Sequence, residues 1–587
     1  MWQIGNTTVR SALRLREGLI ALKKSGQEGK IRGYEGELNM TLLLEKAGVI
    51  EIDKNKKKID ESIGRKWRGA MELMGFLNPK VRREDKSLQD QIGIFDHISP
   101  SGQRLIEAET LSGKNECHLR AMIAYFIDLN DLISRYGFKR KGLVLIDSNE
   151  PRYPFIFVLK ILAYLDEFYE DSKITKVEMC LIIQCTDPKT NVEDVVSKIL
   201  NFRKAKENSL AKNFDDEMIA NKANEIGLEV GTFDDYSDTA FRYLKATGMV
   251  SSKGIDGIAI VPEKLINIKD IIQNFVIPKE RINVYKRKSQ GASLPTDLIE
   301  NAYLNLKYLN KLISKKDNPP DILKVNKKDI KAVKIATQNH QKILENYKEK
   351  EFAEVQKNKT EEISMFLEML LVNRTSRVKR TLSDGSIIVI PKGERAAYFE
   401  WTIWRTFLSL DSLTNEPWEA RRFEIDQDFL PVNTAPGRGA DVIIELQNII
   451  LVVEVTFTSS SRQEAAEGEP VRRHVADVIE KNKILSKKVY GLFMAINVDT
   501  NTANTFRLGE WYSKDDKKLA LDIVPLALKD FKLIFDAVKD DPSKLTGYFK
   551  NFFENCRRTS NELEAPEWKA EIRKNSHLLV EKLLLHD

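Results

Sequence analysis

Two acidic residues, Asp441 and Glu454, interrupt an otherwise apolar segment near the end of the chain. The stretches DVIIEL (441–446) and IILVVEVTFT (449–458) are rich in β-branched residues, which predicts a β-hairpin buried inside a layered domain. The predicted turn lies at Gln447–Asn448, so the second strand returns past the first. We therefore expect Asp441 and Glu454 to meet at one end of the hairpin.

This carboxylate pair is suited to binding a divalent cation. A carboxylate in an apolar sheet is costly, and two neighbouring carboxylates also repel each other. Mg²⁺ relieves both problems, because it binds one or two carboxylates and leaves its other positions to water and phosphate. From the residues alone a structural interpretation stays open, in which Asp441 is a turn residue and Glu454 is an edge-strand charge that blocks aggregation.

The segments around the hairpin complete a mixed α/β domain over residues 391–587. The expected elements are a helix over 393–410, a strand near 419–424, a helix with Pro470 in its first turn that runs to about residue 487, and strands at 488–498 and 522–528. Their order predicts a central sheet that carries its acidic groups at one edge. Glu400 lies among the apolar positions of the first helix, and the charged residues near the start of the second are Glu467, Glu469, Arg472, Arg473 and His474.

Residues 1–140 mix short helical and strand-like patterns. Apolar residues at helical spacing predict a helix over 61–77, followed by a strand-like segment at 92–98 and a helix at 99–108. This order suits a winged helix. The basic residues of its presumed recognition helix, and hence its candidate DNA contacts, are Arg65, Lys66 and Arg68.

A similar pattern recurs in residues 141–290, where a helix runs into Gly248 and a strand is expected at 257–262. Arg242 and Lys245 are the basic residues of that helix. Upstream, Thr175 and Glu178 fit a capping box that would start another helix. The arrangement predicts a second helix-turn-helix or winged-helix unit, although basic residues on any one helix are also typical of a plain solvated face.

Residues 291–390 are charged and periodic with few Gly or Pro, which predicts a helical linker between two working parts.

The overall composition predicts a globular protein of several domains. The chain has 587 residues, 42% hydrophobic and 31% charged, and its 93 Lys and Arg leave a net charge of only +6. The four cysteines are scattered, which predicts incidental thiols in a reducing compartment rather than a zinc site. An apolar signal region is lacking, and apolar runs are too short for a membrane span. We therefore expect a cytoplasmic protein.

Asp441 followed by Glu454-Val455-Thr456 resembles the core of the PD-(D/E)XK nucleases. More specifically, the chain resembles AlwI-type type IIS restriction endonucleases, including their nicking relatives. The matching stretches are RYPFIFVLKIL (152–162), ITKVEMCLIIQCTD (174–187), TAFRYLKATGMV (239–250), IVPEK (260–264), YFEWTIW (398–404), ADVIIELQNIILVVEVTFTSS (440–460) and EGEPVRRHV (467–475).

The resemblance implies a multidomain α+β fold with N-terminal winged-helix reading domains, a helical linker and a C-terminal nuclease domain with a mixed sheet. It implies a prokaryotic enzyme that reads a short asymmetric sequence in double-stranded DNA and cuts one or both strands a fixed distance outside it. Its cofactor would be Mg²⁺, with Mn²⁺ as a substitute. Its partners would be a cognate DNA methyltransferase and, for double-strand cleavage, a second copy or a small nuclease subunit.

The resemblance also assigns roles to residues. Asp441, Glu454 and the Val455 carbonyl would bind the metal, Glu400 and Glu467 would be supporting acids, and His474 a further active-site residue. One departure from the motif is Thr456, which stands where a lysine is usual.

The missing positive charge would come from His474, Arg472, Arg473 or a second metal. Two alternatives to this enzyme are open: a non-catalytic winged-helix DNA-binding regulator with a relic nuclease domain, and a repair or transposition nuclease with the same core.

Overall fold

The computed structural model divides into two compact units, Met1–Ile343 and Leu344–Asp587. It describes the whole chain except residues 1, 3, 10, 51, 53–58, 82, 128–152, 187–189, 210, 212, 255, 373–377, 392, 438, 460, 483–486, 514, 586 and 587. The predicted boundary at 140/141 lies outside the described residues, and the division into four domains stays a prediction. In the described part of the chain, no helix is long and apolar enough to cross a membrane.

The first unit is mostly helical. Its helices are α1 (Leu15–Ser25), α2 (Gly33–Lys46), α3 (Ser62–Leu73), α4 (Gln89–Ile92), α5 (Pro100–Glu107), α6 (Leu111–Ala124), α7 (Pro154–Phe168), α8 (Lys176–Glu178), α9 (Val192–Glu207), α10 (Phe214–Ile226), α11 (Val230–Lys245), α12 (Leu265–Gln273), α13 (Arg281–Gln290) and α14 (Ile299–Ile313). A further helix, α15 (Ile330–Glu354), begins in this unit and ends in the second. Three short strands, β1 (Ile174–Thr175), β2 (Val250–Lys253) and β3 (Gly257–Ile260), form an antiparallel sheet in the order β1-β3-β2.

Several local predictions for this unit are confirmed. The Thr175–Glu178 capping box is present, and helix α11 runs into Gly248 and then the β2–β3 hairpin. The strand predicted over 92–98 is wrong, because Ile98 makes only a single bridge to Leu77. Asp96 has a positive φ of 61°, which a continuous strand does not allow, and its carboxylate pairs with Arg32.

The second unit is built around a four-stranded sheet. Its strands are β4 (Val378–Thr381), β5 (Ile387–Ile390), β6 (Val442–Glu445), β7 (Ile449–Thr456), β8 (Lys488–Ala495), β9 (Glu510–Tyr512), β10 (Lys518–Ala520) and β11 (Ile523–Ala527). The main sheet has the order β11-β8-β7-β6, with β6 antiparallel to β7 and the other pairs parallel. The pairs β4–β5 and β9–β10 are separate two-stranded ribbons.

Helices cover both faces of this sheet. They are α16 (Thr360–Leu371), α17 (Arg395–Leu408), α18 (Pro417–Ala420), α19 (Arg462–Lys481), α20 (Thr500–Leu508), α21 (Leu528–Asp536), α22 (Thr546–Arg558) and α23 (Ala565–Leu585). Alternate residues of β7 enter two different cores: Leu451 and Val453 pack with α16, α17 and α21–α23, and Ile450 and Val452 pack with α19 and α20. The unit is therefore a layered, mixed α/β structure, as predicted.

Two predicted elements near the hairpin differ from the structure. Helix α19 begins at Arg462, so Pro470 lies inside it rather than in its first turn. The strand predicted near 419–424 is reduced to one antiparallel bridge between Arg421 and Val442, because α18 occupies residues up to Ala420.

Helix α17 is fixed in the core by the buried Arg405. The Arg405 guanidinium donates to Glu362 Oε1 and to Gln356 Oε1, both at 2.7 Å, and lies 4.5 Å from the ring centre of Trp401. A buried guanidinium needs such partners, because an unpaired charge in the core is strongly destabilising.

Replacing Arg405 tests whether it stabilises the packing of α17 in the core. Arg405→Met should lower the free energy of unfolding of the second unit by about 3 kcal/mol, since Glu362 and the buried Gln356 lose their partner. Urea unfolding followed by tryptophan fluorescence measures this loss, because Trp401 and Trp404 are in the same helix. Arg558→Met, at an exposed site of the same unit, is the control. Equal losses in both variants would contradict the anchoring role.

Candidate active site

The register of the β6–β7 hairpin brings Asp441 and Glu454 together. Val442 pairs with Val453, so continuing the ladder by one residue sets Asp441 opposite Glu454, with both side chains on the same face. The Asp441 side chain is also fixed by the next residue of β7, since Val455 N–H donates to its Oδ2 at 2.9 Å. The hairpin thus has the geometry that the sequence predicts.

Helix α19 supplies the polar groups that face the pair. His474 is buried, and its Nδ1 lies 2.6 Å from Glu454 Oε1, so one proton is shared between imidazole and carboxylate. The Nε2 of the same ring is buried and has no partner among the described residues. Glu467, earlier on the helix, accepts a hydrogen bond from the Thr456 hydroxyl.

Helix α17 contributes a third acidic side chain. Glu400 is buried, and its Oε2 accepts a hydrogen bond from Ala435 N at 2.7 Å. Its carboxylate is close enough to Asp441 and Glu454 to interact electrostatically with both. Three separate segments therefore place acidic groups at the end of the hairpin.

Burial makes these acids hold their protons. Burial, reinforced by the charge of Glu467, raises the pKa of Glu454 to about 8. The pKa of Asp441 is raised well above its usual range by burial and by the charge of Glu454. The pKa of Glu400 is likewise raised well above its usual range by burial and by the charge of Asp441. For Glu467 the pKa is raised by burial. The pKa of His474 is lowered by burial and by Arg473, which favours a neutral ring. A group of closely placed carboxyl side chains, whose ionised forms repel one another, is the defining electrostatic feature of the site.

The donor set fits a hard divalent cation. Asp441 and Glu454 each have one oxygen engaged in the hydrogen bonds above, and their carboxylates are the oxygen ligands that Mg²⁺ or Mn²⁺ takes. Val455, whose carbonyl was the third predicted ligand, follows Glu454 and is the second-last residue of β7. In the described part of the chain, no group of three or more His, Cys, Asp or Glu side chains is arranged to hold a metal ion. The residues fit an ion completed by water and phosphate rather than by protein alone.

Thr456 leaves open which group supplies a positive charge. Arg472 donates to Gly468 O at 3.0 Å and lies 5.8 Å from the Trp511 ring centre. Arg473 pairs with Glu469 at 3.0 Å. Sequence reasoning missed a third arginine, Arg422, whose charge acts on Asp441, Glu454 and His474. The expected strand near 419–424 was the one signal that could have pointed to it.

The predicted DNA contacts of the first unit have different environments. Arg65 is exposed and Lys66 is partly buried on α3. Arg68 is buried and pairs with Glu37 at 3.3 Å and Glu72 at 3.6 Å, which favours a structural role over the predicted DNA contact.

On α11, Arg242 pairs with Asp238 at 2.8 Å, and Lys245 donates to Ser252 Oγ at 3.3 Å.

The raised carboxyl pKa values predict a pH-dependent stability in the absence of metal. The folded protein holds the Glu454 proton more tightly than the unfolded chain does. The resulting stability is therefore present below the ordinary pKa of 4.5 and is lost as the pH rises to about 8. In EDTA, Glu454→Gln, which imitates the protonated acid, should melt like the parent near pH 5 and about 4 °C higher near pH 8.5. Thermal melts across this range test the prediction, with the exposed Glu562→Gln as the control. An equal shift at every pH would contradict it.

Among solved structures, the chain is similar to the small subunit of the heterodimeric restriction endonuclease R.BspD6I. The two share 24% sequence identity, with 31% of this chain and 90% of that subunit covered and a TM-score of 0.25. No curated protein matches the sequence.

The family model described as AlwI restriction endonuclease matches residues 73–534, which contain every acidic residue of the site. That stretch is most of the chain and extends through both units. The chain therefore belongs to the AlwI restriction endonuclease family, a family of site-specific deoxyribonucleases.

Proposed function

We propose that this protein is a type IIS restriction endonuclease that cuts DNA with Mg²⁺ at a site formed by Asp441 and Glu454. The observation that carries the proposal is the register that sets the partly buried Asp441 beside the buried Glu454. Their burial is unfavourable without a counter-charge, so the arrangement is best explained by a bound cation. The second unit is then the nuclease domain, with a PD-(D/E)XK core.

The residues of this site have different proposed roles. Asp441 and Glu454 hold the cation, with the Val455 carbonyl beside them, and the hydrogen bond from Val455 N–H fixes the Asp441 rotamer. When bound, the cation lowers the pKa of a coordinated water and polarises the phosphodiester. Glu400 and Glu467 hold protons in the metal-free site, and in their ionised forms they would add to the negative charge that attracts a cation. His474 orients the Glu454 carboxylate through its Nδ1, and its buried Nε2 is available to a water or a phosphate oxygen.

The first unit is proposed to read the DNA sequence. Helix α11 followed by the β2–β3 hairpin has the order of a winged helix, and α3 is the proposed recognition helix of the other reading unit. Arg65 and Lys66 on α3, and Arg242 and Lys245 on α11, are the proposed contacts. A nuclease site that contacts only phosphates needs a separate sequence-recognition domain, because contacts to the DNA backbone carry no sequence information.

The proposed subunits, partners and cell compartment of this protein follow from the proposed cleavage of DNA. A single pair of metal-binding carboxylates cuts one strand at a time, so double-strand cleavage requires a second copy or a second nuclease subunit. The enzyme would act in the cytoplasm of a prokaryotic cell, together with a DNA methyltransferase that protects the host's own sites. A DNA-binding regulator with a relic nuclease domain is the competing function.

Mapping of the cleaved ends tests the type IIS assignment. Incubation of the protein with supercoiled and linear plasmid in Mg²⁺ should give discrete ends at a constant distance from one short asymmetric sequence, and EDTA should abolish them. Sequencing both strands separates nicking from double-strand cleavage. DNA binding without cleavage in Mg²⁺, Mn²⁺ or other divalent metals would favour the regulator, and structure-dependent ends would favour a repair nuclease.

Removing one proposed metal ligand tests the site. Asp441→Asn should lower the single-turnover cleavage rate on the order of 10³-fold, because losing a ligand carboxylate removes several kcal/mol of transition-state stabilisation. DNA affinity in EDTA should not fall. Asp515→Asn, at an exposed position of the same unit, serves as the matched control. A rate within threefold of the parent, about 0.7 kcal/mol, would exclude Asp441 as a ligand.

A further inference from the structure

The acidic site has several neighbouring carboxyl groups, and the motif position that usually supplies a positive charge does not supply one here. Asp441, Glu454, Glu400 and Glu467 influence one another electrostatically, and the position next to Val455 is a threonine. The Thr456 hydroxyl bonds to Glu467 and cannot carry a charge. A phosphodiester brought to this site adds further negative charge. A cationic side chain that faces the carboxylates would compensate this charge.

The backbone of residues 421 and 422 lies against the start of β6. Arg421 and Val442 form an antiparallel bridge, and Arg422 N–H donates to Asp441 O at 3.3 Å. Residues directly opposite each other on antiparallel neighbours project to the same face. By this register Arg422 is opposite Asp441, and Asp441 is opposite Glu454. The three residues form one row across adjacent segments.

The side chain of the preceding residue, Arg421, projects to the opposite face of this segment. Arg421 Nε lies 2.7 Å from Glu349 Oε1, and its Nη1 donates to Phe423 O at 2.8 Å. This structural ion pair uses the side chain that projects away from the carboxylate row. Because successive side chains of an extended segment alternate, Arg422 projects the other way.

The Arg422 guanidinium is available for a ligand. It is partly buried, and within the described residues it forms no salt bridge shorter than 4.0 Å. Gly439, two residues before Asp441, makes room for it, because a Cβ added at Gly439 would lie 1.4 Å from Arg422 Nη1. The proximity also shows in the acids themselves, since the Arg422 charge works against the raised pKa of Asp441 and Glu454.

We propose that Arg422 binds the scissile phosphate and stabilises the negative charge that develops on its non-bridging oxygens, in place of the lysine that Thr456 replaces. The proposal rests on the proposed DNA-cleaving function. A guanidinium suits this task, because its planar donors match phosphate geometry and it stays protonated.

The hydrolysis that Arg422 serves balances without a further reactant. A water oxygen bonds to phosphorus as the bond from phosphorus to the leaving sugar oxygen breaks. One water proton goes to that sugar oxygen, and the other stays on the new terminal phosphate or leaves to solvent. Arg422 keeps its own protons throughout.

Substitution of Arg422 gives the first test. In single-turnover cleavage with protein in excess over DNA and Mg²⁺ present, Arg422→Ala should be about 100-fold slower than the parent, with DNA affinity within a few-fold. Arg422→Lys should recover part of the loss. Millimolar guanidinium ion should raise the rate of Arg422→Ala but not that of Asp441→Asn. The control is Arg558→Ala, an exposed arginine of the same unit, and thermal melts in EDTA check that each variant is folded.

A double-mutant cycle gives the second test and leaves Arg422 in place. Gly439→Ala should displace the guanidinium and slow cleavage, but it should have no further effect in the Arg422→Ala background. An equal effect of Gly439→Ala in both backgrounds would show that it acts by another route. If the parent cleaves and Arg422→Ala cleaves at the same rate, this inference fails alone. If the parent never cleaves with any divalent metal, the proposed function fails and this inference with it.

Discussion

The placement of two carboxylates side by side, the partly buried Asp441 and the buried Glu454, is the constraint on which the second unit depends. Placing like charges in a partly dehydrated site is unfavourable, so the rest of the fold must hold them against repulsion. The hairpin ladder does so through its backbone hydrogen bonds, and the Val455 N–H and the His474 ring each bind one carboxylate oxygen directly. In the absence of a cation the acids hold protons instead, as the raised pKa values of Asp441, Glu454 and Glu400 indicate. In the proposed function, the same feature that is unfavourable for the metal-free fold would give the site its affinity for a metal and for a phosphate bound through it.

The layered core makes this arrangement rigid. Strand β7 is central in the sheet, and its alternate residues are buried in two separate cores, so a one-residue slip would exchange both sets of contacts. The register that sets Glu454 opposite Asp441 is therefore specified by apolar packing rather than by the acids themselves. Helices α17 and α19 bring Glu400, His474 and Glu467 toward the same strand end. Stability and site geometry are thus determined by the same packing.

Much of this site could be predicted from the sequence, because its signals are local. The apolar β-branched strands around a two-residue turn predict the hairpin, and the alternation of a strand then predicts that Asp441 and Glu454 meet. The start of α19 at Arg462 could not be read, because Pro470 is usual in a first turn and its tolerance inside a helix depends on tertiary packing. The burial of Arg68 could likewise not be predicted from the sequence. Its partners Glu37 and Glu72 are known only once α2 and α3 pack together. The DNA-reading assignment of the first unit rests on a helix-and-strand order together with the family resemblance, and it stays a prediction.

Arg422 shows most clearly what a linear motif leaves out. A motif records which residue follows which, but the charge at a site is set by whatever the fold brings near it. Thr456 breaks the motif on β7, while the segment paired with β6 presents an arginine to the same row of side chains. Gly439 matters for the same reason, because the absence of its side chain is meaningful only beside the guanidinium. The position of a catalytic charge can therefore move from one strand to its neighbour while the electrostatics of the site stay the same, provided that the register across the strands is kept.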